Sequence, residues 1–297
     1  MDNSPISGLV SVVVPTHNRS KMLRKAIKSI LAQDYDKIEL IIVQDACTDD
    51  TSSVLMQFKD SRIKCIVSNV NLGGAKARNL GIESCRGEYI AFLDDDDIWK
   101  NNKLSSQLKI FKKFNDVAIV STSYESIDSV SSKRVNLPGE IILEDLLYKN
   151  YCGSFSFCIT KSKYLKNLRI NPQLKACQDW DLWIKILKNT GLKCRACTDS
   201  LVVYNIAHED RLSTHKRNIY ESRVIFLRDK IELMNKKHLY YNYYDLIKMK
   251  RIENWGKYNY IIRLKLYIKA LKYYHQAEFE RSFYNYFLII TKILNLS

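Results

Sequence analysis

EYIAFLDDDDIW, residues Glu88–Trp99, decides how the chain is read. Its first half, Tyr89-Ile90-Ala91-Phe92-Leu93, is a short apolar run bounded by polar residues. That is the pattern of a buried strand in a parallel or mixed sheet. The run stops at four consecutive aspartates, Asp94 to Asp97, after which Trp99 and Leu104 open a helical pattern. Ligands of open α/β sheets gather beyond the carboxyl ends of strands, which is where these carboxylates fall. Two unit charges about 4 Å apart repel by roughly 1 kcal/mol in water and roughly 4 kcal/mol at an effective dielectric of about 20. A partly buried cluster therefore calls for a counter-charge, and a hard divalent cation with oxygen ligands supplies one. Residues two apart on an extended segment face the same side, so Asp94 with Asp96, or Asp95 with Asp97, can share one metal. A solvated acidic turn is the alternative, and the buried strand feeding the run counts against it.

Upstream, the β-branched run LVSVVV at residues 9–14 predicts a buried strand that ends at Pro15 and is followed by PTHNRS. Leu23, Ala26, Ile27, Ile30 and Leu31 carry helical spacing. IELIIV at residues 38–43 predicts a second strand, which leads to QDACTDDT and a helix from Thr51. A third strand covers residues 63–67, and NLGGAKARNLGIESCRG then reads as a glycine loop and a helix. Strands alternating with helices predict a parallel, doubly wound sheet.

Downstream, STSYESIDSVSSKRVNLPGE at residues 121–140 reads as a loop or hairpin edge between two lobes. The alternation in residues 151–160, YCGSFSFCIT, predicts a strand. In CQDWDLWIKILKNTG, Trp180, Trp183, Ile184 and Leu187 form an apolar helical face that Gly191 terminates. Asp179 falls in the first turn of that helix, where the helix dipole favours a carboxylate. LVVYNI at 201–206 is a further strand, and residues after about 211 read as helix.

A length of 297 residues allows one large domain or two smaller ones. With 46% hydrophobic residues, only 4 Pro and 9 Gly, the composition is globular and excludes a disordered chain. The net charge of +15 is concentrated at the end: residues 211–297 hold 18 Lys and Arg against 7 Asp and Glu, and 12 of the 19 Tyr. Such a region suits an anionic surface, or a helical subdomain with lysines on its solvated face. On one stripe of a helix there stand Lys265, Lys269 and Lys272, and on the adjoining one Leu264, Ile268 and Leu271. These stripes suggest peripheral attachment to an anionic inner leaflet, or packing on the α/β part of the chain. No apolar run approaches the roughly 20 residues that span a membrane. No signal peptide is visible in MDNSPISG, so the expectation is a cytoplasmic chain, its eight cysteines reduced. Cys194-x-x-Cys197 has no second pair at zinc-site spacing. No nucleic-acid-binding module is recognisable, so none is expected as a partner.

Six of these segments, in order over residues 9–215, resemble the motifs of the family 2 glycosyltransferases. VSVVVPTHNR is similar to that family's opening strand and nucleotide loop, and IELIIVQDACTDDT to its second strand and acidic loop. NLGGAKARNLGI resembles its Gly-x-x-x-Arg-Asn segment, EYIAFLDDDDIW its metal-binding DxD strand, QDWDLW its Glu-Asp-x-Asp-Leu-Trp helix, and YNIAHEDRLST its Tyr-x-x-His closing motif. The resemblance implies an α/β GT-A fold, a Rossmann-like mixed sheet, with a C-terminal helical extension. It implies a GT-A domain over 1–210, with a nucleotide-binding half to about 120 and an acceptor half to about 210, and a basic helical region over 211–297.

By the same resemblance Pro15, Thr16 and Asn18 line the nucleotide site, Asp45 reads the base, and Arg78 lies near the base and diphosphate. Asp94 and Asp95 belong to the donor site. Asp94 and Asp96 form the DxD that holds Mn2+ or Mg2+, with His208 as a further ligand or a hydrogen bond to phosphate. Asp179 matches the general base, and Asp181 either orients the helix or is solvated. Gln44, Ala46, Cys47 and Gln178 depart from the family's usual Asp, Gly, Ser and Glu.

The chemistry asks for these residue types in its own right. A nucleotide-sugar carries a diphosphate leaving group whose developing charge a divalent cation neutralises. A hydroxyl is a poor nucleophile until a positioned carboxylate takes its proton. The expected partners are a nucleotide-diphospho-sugar, a saccharide or lipid-linked saccharide acceptor, and an anionic membrane surface. The activity expected is inverting sugar transfer in cell-surface polysaccharide or lipid-linked oligosaccharide synthesis. A nucleotidyltransferase would carry a Gly-rich, basic triphosphate loop after the first strand, which PTHNR lacks. A non-catalytic nucleotide-sugar or nucleic-acid binding module of the same fold is the remaining alternative.

Overall fold

A computed structural model describes residues 4–128, 130–206 and 216–251. The strands are β1 (Ile6–Thr16), β2 (Ile38–Asp45), β3 (Ile63–Ser68), β4 (Gly87–Phe92), β5 (Ile98–Trp99), β6 (Val117–Ile127), β7 (Ser132–Val135), β8 (Glu140–Ile141), β9 (Ile159–Lys161) and β10 (Lys193–Asn205). The α-helices are α1 (Ser20–Leu31), α2 (Thr51–Met56), α3 (Gly73–Glu83), α4 (Lys103–Lys113), α5 (Leu143–Leu146), α6 (Gln178–Thr190), α7 (Lys216–Lys230) and α8 (Lys236–Arg251). Two compact units are distinguished, Met1–Asp229 and Lys230–Ser297.

In the first unit the sheet runs β3-β2-β1-β4-β9-β6-β10-β5. The unbroken β-branched runs predict its heart correctly, since Val10, Val12, Val13, Val14, Leu40, Ile41 and Ile42 are fully buried. Each such side chain contributes about 1.5–3 kcal/mol through burial. β1 pairs in parallel with both β2 and β4. The chain winds from β1 to β2 and β3 on one side, then returns to β4 on the other. That makes the carboxyl end of β1 a topological switch point, the place where open α/β sheets bind ligands. α3 lies close over β1 at Gly81, where any Cβ would collide with Val13.

The sheet is mixed, as the resemblance implied, and the parallel arrangement read from the strand–helix alternation holds for β1 to β4. β9 runs antiparallel to β4 and to β6, while β6 and β10 are parallel. The predicted strand over 151–160 is corrected: Phe155–Phe157 is a 3-10 turn and only Ile159–Lys161 is strand. The alternation misled because Phe155, Ser156 and Phe157 are all buried, so no period-two pattern of burial exists. The polar stretch from 121 proves to be a hairpin, β6 with β7.

In the second unit, Asn235 caps α8 by accepting the His238 N–H at 3.1 Å. No helix among the described residues is long and apolar enough to cross a membrane. The boundary read at 210/211, His208, and the Lys265 and Leu264 stripes lie outside the described residues.

Candidate active site

Past Phe92 the chain leaves the sheet and turns. The Leu93 N–H still bonds the Val13 carbonyl at 3.1 Å, and the Asp97 N–H bonds the Asp94 carbonyl at 3.1 Å. The four aspartates therefore sit on a turn, which corrects the extended segment with alternating faces. The carboxylates divide among several partners, and Asp95 and Asp96 share one of them. Asp94 pairs with the Arg78 guanidinium and accepts from Ser154 Oγ at 3.4 Å. Asp95 accepts from Thr16 Oγ1 at 2.8 Å and from Arg19 Nη1 at 3.2 Å. Asp96 accepts from the same Arg19 nitrogen at 3.2 Å. Asp97, 1% exposed, accepts the Asn205 N–H at 3.2 Å, while its Oδ2 has no hydrogen-bond partner.

The counter-charge demanded by the sequence is thus present as two guanidinium groups. Burial still dominates within the turn. It pushes the Asp95 carboxyl up to about 6, against the opposing pull of Arg19 and Thr16. Burial, with Asp94 and Asp96 adding repulsion, raises Asp97 well above the usual carboxylate range. Arg19 is held above its ordinary value: burial works against its charge, and Asp95 and Asp96 together outweigh it.

The neighbouring strand ends supply the next layer. Asp45, at the end of β2, accepts the backbone N–H groups of Leu72 at 2.5 Å and Gly73 at 2.9 Å. It thereby anchors the start of α3. Asn18, left-handed at φ 53°, fastens the β1–α1 loop to the β2–α2 loop by accepting the Thr48 N–H at 2.7 Å. Ala46 is also left-handed at φ 52°, in the position where the family usually has glycine.

α3 carries Arg78 to the floor of the cleft, its guanidinium 4.5 Å from the Phe155 ring centroid. Its Nη1 lies 3.5 Å from Gln178 Oε1, and its buried Nε has no hydrogen-bond partner. A Cβ at position 74 would stand 2.7 Å from Arg78 Nη1, so a larger residue than glycine would push the guanidinium aside.

Opposite lies the start of α6. Cys177 turns into the helix at φ 60°, and Asp179 follows in the first turn, half-buried, accepting the Trp180 N–H at 2.7 Å. Two indoles fix this end. Trp180 Nε1 bonds the Leu146 carbonyl at 2.6 Å and Trp183 Nε1 the Gly153 carbonyl at 3.0 Å. Arg223 and Phe226 of α7 cover Trp180. Burial raises the Asp179 carboxyl to about 6; the Trp180 N–H opposes the rise, and Asp94 adds to it. Asp181 points elsewhere. It is 1% exposed and pairs with Lys185 at 2.6 Å, so it is not solvated. Gln178 donates to the Leu174 carbonyl at 2.7 Å and offers Arg78 an amide oxygen instead of a charge.

These groups face one cleft of about 1050 Å3, lined among others by Pro15, Thr16, Asn18, Asp45, Arg78, Asp94, Asp95, Asp96 and Asp179. Every residue that the resemblance assigned to the donor, the metal or the base lies there except His208, which is outside the described residues, while Asp97, offered as a metal ligand by spacing, is buried off the cleft. The cleft thus stands at the switch point, with aspartates on one wall and a helix-borne carboxylate on the other. The Glycosyl transferase family 2 description matches residues 11–169.

The chain belongs to glycosyl transferase family 2.

One relative is the Escherichia coli UDP-Glc:alpha-D-GlcNAc-diphosphoundecaprenol beta-1,3-glucosyltransferase WfaP. It is 34% identical over 209 residues, covering 70% of this chain and 81% of the relative. Another is the putative teichuronic acid biosynthesis glycosyltransferase TuaG of Bacillus subtilis, 30% identical, covering 70% and 82%. Solved structures extend the likeness in fold. S. aureus TarS 1-349 with UDP-GlcNAc superposes with a TM-score of 0.63 at 19% identity, covering 74% of this chain and 66% of that one. The chain spans 40% of a longer TarS chain. Mannosyltransferase PcManGT from Pyrobaculum calidifontis, in complex with GDP-Man and Mn2+, superposes with a TM-score of 0.59 at 18% identity, covering 88% and 80%. This glycosyltransferase accordingly has the mixed α/β GT-A fold, and its activity is sugar transfer.

For a divalent ion the glycosyltransferase offers hard carboxylate oxygens at Asp94 and Asp96, the right donor type for Mg2+ or Mn2+. Among the described residues no three His, Cys, Asp or Glu side chains converge as a metal cage. The set therefore fits an ion that draws its remaining ligands from phosphate and water. Sequence reasoning missed Arg19 as a partner of the turn, although PTHNR contains it and four adjacent carboxylates ask for a cation. It also missed Lys103, fully buried at the start of α4, its Nζ 4.0 Å from the Trp99 ring centroid and 2.8 Å from Gln107 Oε1. Burial lowers its pKa to about 7. Its helical spacing with Gln107 at i+4 and Phe111 at i+8, on the buried side of α4 with Leu104 and Leu108, was the available signal.

Proposed function

We propose that this glycosyltransferase is divalent-metal-dependent and inverting, and moves a sugar from a nucleoside-diphosphate donor to a hydroxyl of a lipid-diphosphate-linked saccharide. The observation that carries the reading is the juxtaposition of Asp94, Asp96 and Arg78 with Asp179 across a single cleft. Pro15, Thr16 and Asn18 line the nucleotide pocket, Asp45 faces the base, and Arg78 takes the diphosphate side. Asp94 and Asp96 hold the ion, with His208 as a further candidate. Bound there, a divalent ion offsets charge developing on the leaving diphosphate.

Asp179 is the general base. Its raised pKa suits proton transfer near neutrality, where a base works best with a pKa near the operating pH. As its carboxylate takes the acceptor proton, the acceptor oxygen forms a bond to the anomeric carbon. The carbon–oxygen bond to the diphosphate breaks, its electron pair leaves with the nucleoside diphosphate, and configuration inverts. The indole anchors at Trp180 and Trp183 hold Asp179 in place, which is how positioning lowers a barrier. The names of the relatives support a UDP-sugar donor and a lipid-linked acceptor in cell-surface polysaccharide synthesis. An acceptor of that kind calls for work at the inner face of the cell membrane, where the basic residues after 211 meet anionic headgroups.

The test is transfer from a panel of nucleotide-sugars, with and without Mn2+, to a GlcNAc-diphospho-lipid, with the product's anomeric configuration read by NMR. A β-linked product from an α-linked donor, abolished by EDTA and by Asp96→Asn, is expected. A product with retained configuration, or full activity in EDTA, overturns the corresponding part.

A further inference from the structure

Arg19 stands between two carboxylates of the aspartate turn. A single nitrogen, Nη1, lies 3.2 Å from Asp95 Oδ1 and 3.2 Å from Asp96 Oδ2. The backbone beneath it is fixed, because the Arg19 carbonyl accepts the N–H groups of Met22 and Leu23, both at 3.0 Å. The two carboxylates differ. Asp95 is 7% exposed in its side chain and is also held by Thr16 Oγ1 at 2.8 Å. Asp96 lies on the cleft with its neighbours, 11% exposed, and the guanidinium itself is 27% exposed.

A guanidinium presents five N–H donors in a fork that fits phosphate as well as carboxylate. A diphosphate entering this cleft meets Arg19 at its wall. A divalent ion approaching Asp96 meets a carboxylate already neutralised. Two cations compete for one carboxylate, and one cation is contested by a carboxylate and a phosphate.

We propose that Arg19 is an exchangeable counter-cation: it neutralises Asp96 in the empty cleft and transfers to the donor diphosphate on binding, which frees Asp96 for the divalent ion. This rests on the donor reading above and adds an order of events to it. Metal alone binds weakly because Arg19 occupies its ligand, and nucleotide and metal bind with positive coupling because each relieves the competition the other faces. Asp95 stays tied to Thr16 throughout and keeps the turn in place.

The experiment uses the full chain as wild type, Arg19→Met and Arg19→Lys. Mn2+ alone is titrated by the EPR signal of the free ion, and UDP or GDP in saturating Mn2+ is titrated by calorimetry. Arg19→Met is expected to bind Mn2+ alone about threefold or more tightly. It should bind the nucleoside diphosphate at least about tenfold more weakly, the equivalent of one charge-assisted hydrogen bond. Arg19→Lys keeps the charge without the fork, so it should show a smaller change in both. Opposite signs for the two ligands are the signature, since general damage to the site weakens both. Unchanged or weaker Mn2+ binding by Arg19→Met overturns the exchange, and so does unchanged nucleotide binding. Wild type that binds neither UDP nor GDP overturns the donor reading itself, and the inference with it.

Discussion

Asp95 and Asp179 are two carboxylates of one cleft, both pushed up to about 6 and both chiefly by burial. Their surroundings otherwise differ. Asp95 spends both oxygens on side chains, one on Thr16 and one on Arg19, and is 5% exposed. Asp179 accepts the N–H of its own neighbour Trp180 and keeps a half-buried position on the cleft wall. A raised pKa therefore does not pick out a base. What separates the two is that Asp95 has both oxygens held by side chains, whereas Asp179 accepts a backbone N–H on the cleft wall, and on that difference Asp179 is the one we propose as base. Asp95 is a brace whose charge is costly to bury and is offset by a cation.

The largest effect should come from Asp179→Asn. The amide keeps the shape and the Trp180 contact but cannot take a proton. Transfer should fall at least about 100-fold, the lower end of a general-base contribution, while UDP binding in Mn2+ stays near wild type. Initial rates together with calorimetry check both halves. Normal transfer by this variant would remove the distinction between the two carboxylates.

The pH profile sharpens the same point. If Asp179 must be ionised and its carboxyl titrates near 6, transfer should rise about tenfold per pH unit below about pH 6 and level off above it. Asp179→Asn should lose that acid limb. Asp95 should act on stability instead. Its folded pKa is raised, so the native state binds a proton that the unfolded chain has already lost between about pH 4 and 6. Stability from this group is therefore present below about pH 4 and declines as pH rises through about 6. Asp95→Asn should flatten that dependence by about 1–3 kcal/mol, since one pKa unit corresponds to about 1.4 kcal/mol. Transfer should change only a few-fold. Denaturant melts at pH 4.5 and 7.5 test it, and parallel slopes for the two proteins would contradict the brace assignment.

What the sequence made legible follows from how local each signal is. β1, β2 and β4 were readable because an unbroken apolar run followed by polar residues needs no knowledge of the fold. The acidic residues at their ends inherited that clarity. Arg19 did not, because its partners stand 76 and 77 positions away, and no spacing in PTHNR records which strand end α1 will face. β9 was hidden for a different reason. Its neighbours Phe155 and Phe157 are buried by a 3-10 turn beside the aspartate turn, and the carbonyl of Ser156 between them accepts the Trp99 Nε1–H at 2.8 Å. Apolar residues at i and i+2 are read as strand until the polar residue between them is seen to be buried too. Lys103 shows the same limit: a lysine on an apolar helical face is read as solvated unless an indole and an amide are known to receive it.

The smallest expected effect belongs to Asp181→Asn, and it tests the comparison within a single helix. Asp181 lies two residues beyond Asp179, a spacing that places side chains on different sides of a helix. Its carboxylate is 2.6 Å from Lys185 Nζ, an i,i+4 pair whose lysine is 29% exposed. Because water can still reach Lys185, loss of the opposite charge should cost about 1 kcal/mol, less than the roughly 3–5 kcal/mol of breaking a fully buried pair. Neither residue lines the cleft, so kcat, KM and the acid limb near pH 6 should all stay at wild-type values while the melting midpoint drops slightly. The informative failure is the exchange of phenotypes. If Asp181→Asn abolishes transfer and Asp179→Asn does not, the proton goes to the second carboxylate of the helix. The Lys185 pair would then be a latch that opens on substrate binding. If both variants transfer normally, the base lies on another element of the cleft, and the indole anchors of α6 serve the fold alone.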